Sequence, residues 1–192
     1  HEWRQCDAYS MALNYAMEPR GLFQPAIHFQ HGAGGGEAVG EFPLTYFLNG
    51  KLWKAIGLQP WTLRWTHLAL LLLGCWCLFR TLSQLVSPSS SLALTWLTMG
   101  SGLMAFYGPN YLVNAASLGL VYVGWWEAYK WWQTGCTVRK LQVLMVLAFS
   151  LALLFRPTMV LGLIPPALAV FGTKQWWRCL LYTSDAADEH GC

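Results

Sequence analysis

The residues able to do chemistry in this chain are few, and most lie near its start. Arg4-Gln5-Cys6-Asp7-Ala8-Tyr9 opens a segment predicted to be helical through Ala16, in which Arg4 and Asp7, three positions apart, share one helix face. A carboxylate presented there can take the proton of a hydroxyl as a general base, and a nearby guanidinium can hold a phosphate. The same spacing also suits a surface ion pair or an acid favoured by a helix N-terminus, so both readings stand on spacing alone.

His28, His31, Glu37 and Glu41 follow, around the glycine-rich run Gly32-Ala33-Gly34-Gly35-Gly36. Their spacing matches no standard ligand template, so no metal site is expected and a divalent metal cofactor is unsupported. The glycine run lacks the Gly-Lys-Ser/Thr ending of a phosphate loop and reads as a surface bend. It leads through Val39-Gly40-Glu41-Phe42-Pro43-Leu44 into a helix-like stretch from Thr45 to Gly57.

The elements that must position these groups are apolar. Of the 192 residues 55% are hydrophobic and 11% charged, twelve are Trp, and the mean hydropathy is positive. A soluble domain of this size carries more surface charge. Five acids (Glu2, Asp7, Glu18, Glu37, Glu41) precede Pro43, three lie at the end, and only Glu127 falls between. Five hydrophobic spans are expected: Trp61 to Phe79, Leu92 to Tyr107, Leu112 to Trp126, Leu141 to Phe155, and Met159 to Phe171, the last kinked by Pro165-Pro166. The expected fold class is all-α, a polytopic transmembrane helix bundle with a long outer loop carrying short helices.

Arg80, then Lys130, Arg139 and Lys140, then Lys174 and Arg178 fall on one side of such a bundle, whereas the alternate turns hold only Arg156. The positive-inside rule places the first set in the cytoplasm and the opening segment, residues 1–60, outside in a periplasm or lumen, despite Lys51 and Lys54. Trp125-Trp126, Trp131-Trp132 and Trp176-Trp177 suit interfacial anchors. The chain opens in a polar stretch with no initiator Met or signal peptide, so an earlier span is expected before it. Residues 179–192 break from the preceding text and resemble translated sequencing-adapter read-through. They are set aside as a non-native tail, leaving 61–178 as the membrane region and a net charge of +6 over residues 1–178.

Trp3-Arg4-Gln5-Cys6-Asp7-Ala8-Tyr9-Ser10 with Gly40-Glu41-Phe42-Pro43-Leu44 resembles the first outer loop of bacterial GT-C-fold glycosyltransferases. The group it is most similar to is the dolichyl-phosphate-mannose protein mannosyltransferase-like family, relatives of the lipid A aminoarabinose transferases. The resemblance continues through Phe106-Tyr107-Gly108-Pro109-Asn110-Tyr111-Leu112 and Leu154-Phe155-Arg156-Pro157. It implies transfer of a sugar from a polyprenyl-phosphate carrier to a hydroxyl of a glycan, lipid or protein, outside a bacterial inner membrane and with inversion. Asp7 would be the catalytic base, Arg4 and Arg156 would hold the phosphate, and Glu41 would make a polar contact to sugar or acceptor. Many relatives carry an acid in the second outer turn, where this chain has Asn110 and Asn114, which argues against a two-carboxylate mechanism.

The alternative is a non-catalytic polytopic protein, a transporter or a flippase subunit. A transporter places charged or broken helices near the midplane, whereas this chain gathers its polar chemistry in one outer loop. The scattered basic residues form no patch, so nucleic acid is not expected as a partner.

Overall fold

The structure, a computed structural model, describes residues 2–28 and 41–172. It is all-helical: α1 (Glu2–Met17), α2 (Leu44–Ile56), α3 (Trp61–Leu82), α4 (Pro88–Met99), α5 (Gly102–Tyr107), α6 (Asn114–Gln133), α7 (Arg139–Phe155), a 3₁₀ helix (Pro157–Leu163) and α8 (Ile164–Gly172). The long helices α3, α6 and α7 pack side by side with α6 in the middle, and α4 leans on α3. The pair α1 and α2 sits at the end of this bundle where α3 begins and α7 ends, burying Ala8, Ala12, Tyr15, Tyr46 and Trp53 against Leu63, Val113 and Phe155.

One described helix, α3, is long and apolar enough to cross a membrane. Its 22 residues reach about 33 Å at the α-helical rise, against roughly 30 Å of hydrocarbon. The other expected spans differ in detail. The stretch from Leu92 to Tyr107 is two short helices, because Ser101 turns extended after Gly100 and its hydroxyl caps the Met104 amide, starting a new helix. The region from Met159 is a 3₁₀ turn followed by α8, and Pro165-Pro166 sit in the first turn of α8, where missing amides cost no hydrogen bond, rather than kinking a continuous helix. The indole of Trp125 donates to the Gly162 carbonyl at 2.6 Å, tying α6 to the 3₁₀ helix. Lys174, Arg178, Trp176 and Trp177 lie outside the described residues.

Arg80 and Lys130 both lie over the Trp126 ring, at the end opposite Arg156, and Lys130 pairs with the buried Glu127 at 2.7 Å. Large apolar side chains point outward along the helices, among them Leu72, Trp76, Leu97, Val146, Leu147 and Leu161.

Close backbone approach sets the bundle. A Cβ on Gly74 would lie 2.3 Å from the Gly119 Cα, and one on Gly119 would lie 2.3 Å from the Leu70 carbonyl oxygen, so α3 and α6 touch through bare backbone. Gly50 does the same for the α1–α2 pair, where a Cβ would fall 2.5 Å from that of Tyr15. Gly119→Ala should therefore pry α3 from α6 and cost about 1–3 kcal/mol, read as a lowered unfolding temperature in detergent. Gly102→Ala, with nothing within 4 Å, is the control and should leave that temperature unchanged.

Candidate functional site

Glu41 is the centre of the polar cluster at the α1–α2 end. One carboxylate oxygen accepts from Arg156 Nη1 at 2.9 Å and lies 3.8 Å from Arg4 Nη2; the other accepts from the Tyr46 hydroxyl at 3.1 Å. Residues from three distant stretches thus converge: Arg4 on α1, Glu41 and Tyr46 at the entry to α2, and Arg156 just past α7. Glu41 is held there by its neighbour. The Phe42 amide donates to the Leu154 carbonyl at 3.4 Å, and the Phe42 ring stacks on Phe155.

Arg156 occupies an extended residue between α7 and the 3₁₀ helix, where Pro157 ends the α-helical run. Its amide still donates to Ala152, which fixes the backbone and aims the side chain across the bundle end. Both arginines share one carboxylate, so the cluster carries a formal charge of +1. A guanidinium offers five donors, so Arg156 retains capacity for an anion after binding Glu41.

Asp7 stands apart from this cluster although it lies one turn beyond Arg4. Arg4 turns to Glu41 rather than to Asp7, so the surface ion pair allowed by spacing is not formed. Among the described residues the Asp7 carboxylate has no hydrogen-bond or ion-pair partner, while its backbone carbonyl accepts from the Ser10 hydroxyl at 2.9 Å. The side chain is half-buried. A carboxylate left unpaired in this way is available for a substrate proton. Of the imagined metal set, His31 and Glu37 lie outside the described residues, as does the glycine run.

The chain matches no protein-family model, no curated protein and no solved structure.

Several participants carry no mark in the sequence. Tyr46 is buried, and its hydroxyl also lies 3.4 Å from the Tyr111 carbonyl. His67, fully buried on α3, bridges Thr45 Oγ1 at 3.1 Å and the Asn110 carbonyl at 3.4 Å, tying α2 to the turn before α6. Asn110 in turn caps that turn by accepting from the Leu112 amide. Tyr9 packs between Trp53 and Tyr111, with ring centroids 5.6 and 5.8 Å away. Beside it a cleft of about 470 Å³ opens among Gln5, Cys6, Tyr9, Pro60 and Tyr111. An aromatic or a histidine within an apolar run looks like core, and only the pairing across the fold distinguishes these.

Burial pushes the Tyr46 phenol well above its ordinary value of 10.0, the Glu41 charge and hydrogen bond push the same way, and Arg156 and Arg4 oppose them. The unfolded chain releases this proton near pH 10 while the folded protein keeps it. The contribution is complete below pH 10 and lost as pH rises toward the folded value. Unfolding free energy should fall above about pH 10, and less steeply in Tyr46→Phe, in denaturant titrations across alkaline pH. At neutral pH, a double-mutant cycle of Glu41→Gln and Arg156→Gln should return a coupling of ~1–3 kcal/mol, the size of a charge-assisted hydrogen bond.

Proposed function

We propose that the protein is a multi-pass membrane glycosyltransferase that moves a sugar from a polyprenyl-phosphate carrier to a hydroxyl on a glycan, lipid or protein. The reading is carried by one observation: Arg4, Glu41 and Arg156 gather into a net-positive cluster at the end of the bundle where the apolar helix α3 begins, with the unpaired Asp7 one turn beyond Arg4 on α1. A lipid-borne substrate presents its phosphate at that depth, between hydrocarbon and water. The outward Leu, Val and Trp side chains on the helices suit lipid contact, supporting a multi-pass arrangement, and the basic opposite end suits a cytoplasmic face in a bacterial inner membrane.

In this mechanism Asp7 takes the proton of the acceptor hydroxyl as its oxygen attacks the anomeric carbon from the face opposite the phosphate. The bond between that carbon and the phosphate oxygen breaks, the electron pair leaves with the phosphate, and configuration inverts. The departing phosphate gains negative charge, which Arg4 and Arg156 stabilise in place. Glu41 sets the arginines' positions and contacts sugar or acceptor. The second outer turn supplies Asn110 and Asn114 rather than an acid, so one carboxylate does the proton transfer, with no bridging metal invoked.

The non-catalytic alternative, a transporter or flippase subunit, has less to rest on. The charged and histidine side chains of α3 and α6 lie toward the helix ends, with Arg64 and His67 at one and Arg80, Glu127 and Lys130 at the other. The deciding experiment measures sugar transfer from polyprenyl-phosphate donors in membranes, at matched expression, for wild type and Asp7→Asn. Transfer should fall by roughly 10²-fold or more while donor-lipid binding persists. Unchanged transfer would remove Asp7 from the mechanism, and no turnover of any donor by wild type would favour the non-catalytic reading.

A further inference from the structure

Arg64, in the first turns of α3, is exposed and has no carboxylate partner among the described residues. Its guanidinium instead lies over the Tyr111 ring, 4.4 Å from the centroid. Tyr111 is a wall of the cleft that Gln5, Cys6, Tyr9 and Pro60 complete. Through its carbonyl Tyr111 also meets the Tyr46 hydroxyl that donates to Glu41, so the cleft adjoins the Glu41 cluster. An arginine stacked on an aromatic face keeps its in-plane donors free for a planar or tetrahedral anion. Trp61 and Trp65 are more than half exposed on the same turns, and in the multi-pass reading proposed above such tryptophans suit the membrane–water interface, where a cation is tolerated and lipid phosphates lie.

We infer that Arg64 and the cleft beside Tyr111 form a binding site for a phosphate anion at headgroup depth. Resting on the glycosyltransferase reading, that anion is the phosphate of the sugar donor. Arg156 is partly occupied by Glu41, whereas Arg64 meets the donor with its hydrogen-bonding capacity intact. Gln5 and the Tyr9 hydroxyl are the polar groups placed to line the bound headgroup. Nothing in the sequence marks Arg64, since it stands inside the first apolar span, four positions before Leu68.

Cys6 is exposed on the cleft wall and reports its occupancy. The full chain in neutral phosphatidylcholine nanodiscs is treated with a polar maleimide, and modification of the Cys6 peptide is followed by mass spectrometry with a short-chain polyprenyl phosphate, with inorganic phosphate, or with neither. A phosphate ligand should slow alkylation several-fold in wild type, protection should vanish in Arg64→Gln, and Arg64→Lys should keep part of it. Protection by the polyprenyl phosphate alone identifies a lipid-borne phosphate as ligand; equal protection by inorganic phosphate identifies a site for the free anion. No protection by either, or protection undiminished in Arg64→Gln, overturns the inference. The readout needs no turnover: protection without sugar transfer would leave the site standing and defeat the glycosyltransferase reading, whereas transfer with an unchanged donor KM in Arg64→Gln would defeat the site alone.

Discussion

The contact between Gly74 and Gly119 is the constraint on which the arrangement depends. Two helices meet there through backbone alone, with no side chain to separate them, so the register of α3 against α6 is set by the fit of one glycine onto another. That register seats Gly119, in the second turn of α6, between Leu70 and Gly74 near the middle of α3, and Ser117, whose hydroxyl donates to the Ala152 carbonyl at 2.9 Å, aligns α7 with α6. Buried hydroxyl-to-carbonyl bonds of this kind fix rotation and translation together, which apolar packing alone does not. Further along the same helix Gly124 receives the Phe149 ring, so α6 is smooth toward both neighbours.

Once these helices are in register, the polar groups near the α1–α2 end have little freedom. His67 meets Thr45 and Asn110, which seats α2 and the turn before α6, and the Trp53 indole donates to Thr62 at 2.6 Å, which holds α2 against the start of α3. Glu41 is then delivered to Arg156. The charge cluster is a consequence of the helix packing beneath it rather than its cause: the part-buried Glu41–Arg156 pair adds one charge-assisted hydrogen bond and the more exposed Arg4 contact less, while the buried surfaces of Tyr15, Tyr46, Trp53 and Phe155 contribute most of the stabilisation. What the cluster adds is placement, since a single carboxylate shared by two arginines leaves positive charge directed outward.

Much of the architecture is legible in the residues. The apolar run from Trp61, the end of α7 at Phe155 before Arg156-Pro157, and the opening helix through Ala16 all follow from composition and helix breakers, and the structure places them within a few residues of expectation. Where reading failed, local capping outweighed hydropathy. The apolar stretch around Gly100-Ser101 reads as one span because hydropathy averages across it, yet the Ser101 cap costs the chain little and starts a new helix. Pro165-Pro166 mark an irregularity whose nature depends on whether a helix precedes them, and a 3₁₀ turn does.

For the site, the sequence by itself determined which groups were available: a carboxylate at Asp7 and few charges elsewhere in an apolar chain, with Arg4, Glu41 and Arg156 among them. Residue type sets chemistry, and scarcity of charge in an apolar chain makes each one conspicuous. Only the tertiary structure decided their partners. Arg4 and Asp7 share a helix face, yet Arg4 reaches Glu41; Arg156, 115 residues away from Glu41, closes on the same carboxylate; and Tyr46, Tyr111 and Arg64 join through contacts no spacing announces. Local spacing constrains neighbours within a turn or two of helix, whereas pairing across the bundle is set by how the helices pack, and that depends on every glycine and side chain along their shared faces.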